Sequence, residues 1–249
     1  MKKLAHHHPV PRRALAVAVA LAAVVPLLTV FRSAPLAAQV PARNFLWKAS
    51  GQNGVVYLVG SVHLLTKDYY PLSPALDTAF KSSDLLVEEA DLDELEAPAS
   101  QIKMLTRGMM PGNQSIDTVI APATLALVTA RAARLSMPLE PLKRFKPWML
   151  ALTLVEFEWQ KAGFDADLGL DKHFYDLARR ANTPVQGLET LDFQLSRFDG
   201  MSQDLQDRML ADTVTEMEST KATFTKMADA WRNGDAAEVE RQVIADLQS

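Results

Sequence analysis

Short apolar runs along residues 45–249 predict a small set of strands. Residues 45–49 and 55–59 favour two strands joined by a turn at Asn53-Gly54, which is typical of a hairpin. The continuous apolar run 85–87 is typical of a strand that is buried on both faces. Residues 185–188 predict a further short strand after a long polar and apolar segment.

The segments between and after these strands repeat their apolar residues with the period of a helix. Ser73-Pro74 predicts a helix start, because serine caps the first turn and proline suits the first helical position. Residues 97–181, 191–198, 203–233 and 235–248 also read as helical. The pattern therefore predicts an α/β (α+β) fold with a central mixed, partly parallel sheet and a large helical insertion. No strand is predicted after the last helix, so we expect one or more C-terminal strands to be missing.

Residues 1–38 have the three-part pattern of a secretory signal peptide. A basic segment with Arg12 and Arg13 precedes the apolar run 14–30, and small residues at 33–38 follow it. We predict cleavage after Ala38 and a mature domain over residues 39–249 that is exported, either periplasmic or secreted. The alternative is an uncleaved inner-membrane anchor, although the run lies near the lower limit for a membrane span and Pro26 interrupts it. We expect no membrane span in the mature chain.

Composition narrows the classes of function. The 249 residues include no cysteine, which excludes a disulfide framework, a thiol nucleophile and an iron–sulfur cluster. Outside residues 1–38 the chain carries 21 of its 26 basic residues and all 30 acidic ones. An acidic body is a poor partner for nucleic acid. We therefore expect a small-molecule or peptide substrate and no nucleic acid, while the sequence does not indicate an oligomeric state.

The most informative chemistry lies where the predicted strands end. Gly60 closes the second strand, and His63 projects just beyond its carboxyl end. In open α/β sheets ligands bind at that edge. Carboxylates follow the next strands in the same way: Glu88, Glu89 and Asp91, and later Glu189.

An imidazole with several carboxylates suits a divalent Mn, Co, Fe or Zn ion. Such an ion could activate a water molecule to hydrolyse an amide or ester bond. In the alternative interpretation, His63 is a structural hydrogen-bonding residue and the acids cap helices or face solvent. Because neighbouring residues of a strand face opposite sides, we expect only one of Glu88 and Glu89 to enter the site.

Other chemistries have weaker signals. Ser61 and His63 could pair as nucleophile and base, but no G-x-S-x-G elbow accompanies them. The chain also has no G-x-G-x-x-G, no P-loop and no H-E-x-x-H motif. His173 lies among apolar residues at helical spacing, so we expect a partly buried histidine rather than a ligand.

Several short motifs in a fixed order resemble the TraB/GumN family across nearly the whole predicted mature chain. They are Phe45-Leu46-Trp47-Lys48, residues 56–63, Tyr70-Pro71-Leu72, residues 83–91, Met110-Pro111-Gly112, Lys146-Pro147-Trp148, Gly169-Leu170-Asp171, and Gly187-Leu188-Glu189-Thr190 with Gln194. The resemblance implies an α/β fold like that of the Tiki metalloproteases, the erythromycin esterases and the haem-binding ChaN proteins.

The resemblance also implies roles for individual residues. Tiki-type members are metal-dependent proteases that use two G-x-x-H motifs and a glutamate. The first motif corresponds to Gly60 and His63, and the glutamate corresponds to Glu89 rather than Glu88. His63, Glu89 and Asp91 are then the expected metal ligands. Glu89, Asp171 and Glu189 are the expected catalytic or supporting residues: all of them match family motif positions.

One departure from the family pattern affects the expected activity. The second G-x-x-H lies on a C-terminal strand in the family, and the present sequence ends at Ser249 without it. We therefore expect either a C-terminally truncated chain or a protein with half of the site, which would bind metal weakly and have impaired hydrolase activity. The alternatives are a non-catalytic haem or metal carrier and an envelope protein associated with polysaccharide export.

Overall fold

The computed structural model describes residues 14–19 and 45–248, and within them one five-stranded sheet. The strand order is β2-β3-β1-β4-β5. Strands β2 and β3 are antiparallel and the other neighbouring pairs are parallel, which confirms the predicted mixed, partly parallel sheet. The strands are β1 (Ala14–Val19), β2 (Leu46–Gly51), β3 (Gly54–Gly60), β4 (Ser83–Ala90) and β5 (Val185–Glu189).

Helices account for most of the remaining described residues, and six of them separate β4 from β5, as the predicted helical insertion requires. No helix in residues 14–19 or 45–248 is long and apolar enough to cross a membrane. The helices are α1 (Pro74–Lys81), α2 (Leu92–Glu96), α3 (Pro98–Gly108), α4 (Pro122–Leu135), α5 (Leu139–Leu142), α6 (Pro147–Lys161), α7 (Leu170–Ala181), α8 (Leu191–Asp199), α9 (Gln203–Asn233) and α10 (Ala236–Gln248).

Local sequence signals account for the first elements of the domain. The predicted β2–β3 hairpin forms and pairs Leu46 with Val59 at its open end; its turn lies at Gln52-Asn53, one residue before the predicted Asn53-Gly54. Ser73 caps α1 by accepting a hydrogen bond from the backbone of Ala75, with Pro74 at the first helical position. These signals act over a few residues, so the sequence alone is sufficient to place them.

The central strand of the sheet comes from the part of the chain that the sequence assigns to a signal peptide. Strand β1 lies between β3 and β4, where Val17 is the register partner of Leu58 on one side and of Val87 on the other. Among the described residues no strand follows β5. The predicted cleavage point after Ala38 lies outside the described residues, so the signal peptide stays a prediction.

Three apolar clusters form among the described residues, and helix α9 contributes buried residues to the two larger ones. The small one contains Trp148, Leu191 and Leu195. The first of the larger clusters lies on one face of the sheet, where Leu86 of β4 is packed with Phe80 of α1 and Phe174 of α7. The second lies inside the helical insertion, between α4, α6 and the first half of α9. The second half of α9 returns to the sheet through Trp231, whose indole Nε1 donates a hydrogen bond of 2.7 Å to the carbonyl oxygen of Gly60. Helix α9 therefore ties the insertion to the end of β3.

Candidate functional site

The candidate site lies at the carboxyl edge of the sheet, beyond the ends of β3 and β4. Both strands run parallel to β1, so their carboxyl ends meet at the same edge. His63 follows β3, and its Nε2 atom lies 3.9 Å from Oε2 of Glu89 near the end of β4. The two strand-end residues that the sequence singles out thus face each other across a pocket.

The start of α7 delivers a carboxylate to the other side of the imidazole. Oδ2 of Asp171 lies 2.9 Å from Nδ1 of His63. Because an ionised carboxylate only accepts hydrogen bonds, Nδ1–H is the donor and Nε2 is left as the acceptor that faces the pocket. Asp171, which the family resemblance singles out, therefore sets the tautomer and orientation of His63.

Glycine is required where α7 meets the segment after β3. The backbone N–H of Leu170 donates a 2.8 Å hydrogen bond to the carbonyl of Val62. A Cβ atom on Gly169 would overlap the carbonyl oxygen of His63, so any larger residue would force the two segments apart. The close approach that brings Asp171 to His63 therefore depends on Gly169.

The hydrogen bond to Asp171 also shifts the protonation of His63. That bond raises the pKa of His63, and the charges of Asp171, Glu89 and Glu88 act in the same direction, while partial burial opposes them. The imidazole side chain is about half exposed, with a relative accessibility of 54%. It is therefore accessible to a small molecule from the pocket.

Glu88 is the most buried carboxyl group of the site. It is only 2% exposed, and no side chain or backbone group of the described residues forms a hydrogen bond with either of its carboxyl oxygens. Burial raises its pKa to about 8, with further contributions from Asp171 and Asp91. A buried carboxyl without a partner is costly in its charged form, which is why the neutral form is favoured.

The expectation that only one of the two adjacent glutamates enters the site is wrong. The pocket has a volume of about 240 Å³ and is lined by both Glu88 and Glu89, together with Ala90. It extends across the end of β4 rather than over one face of the strand, so the alternation of side chains does not separate the two carboxylates.

Gln194, at the start of α8, is a site residue that was not predicted from the sequence. Its amide Nε2 donates a 2.9 Å hydrogen bond to Oε1 of Glu89, which leaves Oε2 directed toward His63. Gln194 lies four residues after Thr190 in the last family motif. Its place in that motif was the signal that could have identified it as a site residue. The pocket lining is completed by Ser61, Leu92 and Leu95.

Two other predicted site residues lie next to the pocket without lining it. Asp91 caps α2, where its Oδ1 accepts a 2.9 Å hydrogen bond from the backbone of Asp93. Glu189 is the last residue of β5 and the register partner of Ala90. Their predicted roles as a metal ligand and a supporting acid stay predictions.

The side chains of the site are of types that bind divalent ions, but too few of them are arranged to hold one. His63 Nε2 and Glu89 Oε2 face each other, and imidazole and carboxylate are ligands for the expected metals. In the described part of the chain, no group of three or more His, Asp or Glu side chains is arranged to hold an ion. Two donors do not make a complete protein site.

Comparison with known proteins places the chain in a family. The profile of the TraB/PrgY/gumN family matches residues 45–249. A protein of Escherichia coli (strain K12) described as "Uncharacterized protein YbaP" is 24% identical over 210 residues, which is 82% of this chain and 75% of the relative. The protein of the same description from Shigella flexneri is 24% identical over 180 residues, which is 71% of this chain and 64% of the relative. No solved structure matches the chain. The chain therefore belongs to the TraB/PrgY/gumN family.

Proposed function

We propose that the protein is a hydrolase of peptide or ester bonds that acts in the pocket between β3, β4 and α7. The observation that carries the proposal is the 2.9 Å hydrogen bond between Asp171 and His63. It leaves Nε2 of an accessible imidazole facing Glu89 in a cleft of about 240 Å³. An imidazole oriented by a carboxylate in this way is the usual arrangement of a general base.

His63 and Asp171 have separate roles in the proposed hydrolysis. Nε2 of His63 accepts a proton from a water molecule as that water attacks the carbonyl carbon of the substrate. Asp171 stabilises the imidazolium that forms, and His63 then gives the proton to the departing amine or alcohol. Ser61 also lines the pocket, but its hydroxyl oxygen is buried and forms no hydrogen bond with the described residues, so we assign it no role in the proposed step.

The proposal includes binding of a divalent ion, but it assigns the ion no step in hydrolysis. His63 and Glu89 would supply two donors, and we expect weak binding because the described residues do not complete the set. Asp91, Glu89 and Glu189 keep their predicted supporting roles.

Site substitutions in the purified protein test the proposal. We expect His63→Ala to lower kcat/KM on a panel of peptides and p-nitrophenyl esters by about 100-fold or more, because general acid–base catalysis is typically worth that much. His173→Ala is the matched control, since His173 does not line the pocket. The panel is run with EDTA and with added Mn²⁺, Co²⁺ or Zn²⁺. Hydrolysis that persists unchanged in His63→Ala would overturn the proposal.

The competing function from the sequence is a carrier of haem or metal without turnover. It predicts stoichiometric uptake of the ligand and, for haem, a shift of the Soret band that is lost in His63→Ala. The hydrolase proposal predicts turnover with no such stoichiometric uptake of haem. Haem titration alongside the hydrolysis panel distinguishes the two.

Export is the remaining part of the proposal. The basic, apolar and small-residue segments of residues 1–38 support secretion to the periplasm or beyond. Amino-terminal sequencing of the protein from the envelope fraction tests it, and an amino terminus at Gln39 is the expected result. Retention of residues 1–38 on a membrane-bound protein would favour the inner-membrane anchor instead.

A further inference from the structure

A second cavity adjoins the candidate site on the side of β3 and α9. Its volume is about 250 Å³, and its wall is formed by aromatic and aliphatic side chains. Those that define its shape are Phe45, Trp159, Phe224, Met227, Trp231 and Val243. Among the described residues that line it, only His63 has an ionisable side chain.

The two cavities share lining residues in the segment that follows β3. Ser61 and His63 line both of them, so the proposed base lies at the boundary between a polar and an apolar chamber. The polar chamber is lined by Glu88, Glu89 and Asp171. A group held in the apolar chamber would therefore have its neighbouring atoms within the reach of His63.

The accessible wall of the apolar chamber offers little to a polar ligand. The indole N–H of Trp231 is used in a hydrogen bond to the carbonyl of Gly60. The indole N–H of Trp159 and the hydroxyl of Ser61 have no hydrogen-bond partner among the described residues, but both atoms are buried. Trp159 and Phe224 present rings whose centroids are 4.9 Å apart. A ligand that enters this chamber gains free energy by removing apolar surface from water.

We propose that this chamber is the substrate subsite for one bulky apolar side chain, aromatic or branched aliphatic, next to the bond that is cleaved. The inference rests on the proposed hydrolase function and names its substrate class. A dry apolar cavity of ~150 Å³ is enough to bind benzene, so about 250 Å³ accommodates a phenylalanine or leucine side chain. A charged side chain would lose its hydration there without gaining a partner.

A substrate series tests the preference without altering the protein. Peptide and ester substrates that differ only in the residue next to the scissile bond are compared, with Gly, Ala, Leu, Phe and Asp at that position. We expect kcat/KM for Leu and Phe to exceed that for Gly by at least about 10-fold, because apolar pockets discriminate to that extent. Equal kcat/KM values across the series, with hydrolysis still dependent on His63, would overturn the inference and leave the hydrolase proposal standing.

Filling the chamber tests its location independently of turnover. Val243→Trp on α10 places an indole in the chamber, and Ile244→Trp is the matched control at the adjacent position, which is exposed and does not line it. Both tryptophan variants are made in the His63→Ala protein. Binding is measured by the fluorescence of N-phenyl-1-naphthylamine, a neutral apolar probe. We expect Val243→Trp to weaken probe binding at least about 10-fold and Ile244→Trp to leave it unchanged.

The outcomes separate the two proposals. If Val243→Trp abolishes probe binding while the original protein hydrolyses none of the substrates, the apolar binding chamber is supported, and the hydrolase is overturned together with the substrate subsite. Probe binding that is equal in both tryptophan variants overturns the subsite. Thermal unfolding of the variants is measured alongside, and if Val243→Trp does not fold, the substrate series decides the question alone.

Discussion

At the scale of single residues, the site depends on how the two ring nitrogens of His63 are used. Nδ1 is held by Asp171, while Nε2 faces Glu89, whose other oxygen is held by Gln194. Each of these contacts restrains the rotation of a side chain that would otherwise be mobile at the surface. Because Asp171 holds His63 and Gln194 holds Glu89, the site is preorganised.

Asp171→Asn tests the positioning of the imidazole. An amide can present N–H to Nδ1 and reverse the tautomer, so that Nε2 becomes a donor and loses its role as a base. We expect kcat to fall by about 100-fold or more, with KM nearly unchanged. Asp176→Asn is the control: it lies on the same helix, pairs with Lys172 and is outside the pocket. Equal activity of both variants would contradict a positioning role for Asp171.

His173 gives a pH dependence of stability that is separate from the site. It is packed against the rings of Tyr70 and Phe174, and its burial lowers its pKa, although the charge of Asp77 opposes the shift. The folded protein thus favours the neutral ring, while the unfolded chain takes up a proton near pH 6.5. Stability should therefore be full above pH 6.5 and fall as the pH decreases below it.

Urea unfolding at pH 7.5 and at pH 5 measures this effect. We expect the loss of unfolding free energy between the two pH values to be smaller in His173→Gln than in the original protein. Identical losses in the two proteins would show that His173 remains equally protonated in the folded and unfolded states.

At the scale of elements, one close contact controls whether the site assembles. The first turn of α7 approaches the segment after β3 so closely that only the hydrogen atom of Gly169 fits. The approach carries both the Leu170–Val62 hydrogen bond and the Asp171–His63 pair. We therefore expect docking of this helix to be a condition of the proposed chemistry as well as of stability.

Gly169→Ala tests this contact. The added methyl group would lie 2.7 Å from Oδ1 of Asp171 and closer still to the carbonyl oxygen of His63, so one of the segments must move. We expect a loss of about 1–3 kcal/mol in unfolding free energy, as for other overpacked sites, and a large loss of activity. Gly51→Ala is the control, because none of the described atoms lies within 4 Å of the place that its methyl group would take. Similar behaviour of the two variants in thermal unfolding would rule out the steric role.

At the scale of the whole molecule, the middle strand of the sheet has the most unusual origin. Strand β1 bridges β3 and β4, the two strands that carry His63 and Glu89 to the site. The same residues belong to a segment that sequence patterns assign to export. Processing after Ala38 would separate β1 from the rest of the sheet, and the two strands would lose a shared neighbour.

Comparison of shortened chains tests the contribution of β1. We expect a chain that begins at residue 39 to be less stable than the full chain by about 2 kcal/mol or more, because each lost backbone hydrogen bond contributes about 0.5–1.5 kcal/mol. A chain that begins at Val10 keeps β1 and serves as the control. Equal urea midpoints for all three chains would show that β1 does not stabilise the fold.

Much of the site was predictable, and the failures have a common physical origin. His63 and Glu89 follow strands with clear apolar patterns, so their meeting at one edge could be inferred. Asp171 was identifiable only through the family motif, since no local pattern relates the start of α7 to the end of β3. Glu88 was misassigned because alternation describes the faces of a strand and does not describe a pocket across its end.

The sequence by itself determined the local elements, the family and the residue types at the strand ends, because turns, caps and apolar periods act over a few neighbouring residues. Only the tertiary structure decided that residues 14–19 pair between β3 and β4, that both glutamates enter one pocket, and that an apolar chamber opens beside His63. An apolar run is equally suited to a membrane-targeting segment and to a buried parallel strand. Partner choice between distant segments depends on how their surfaces fit once they are folded together.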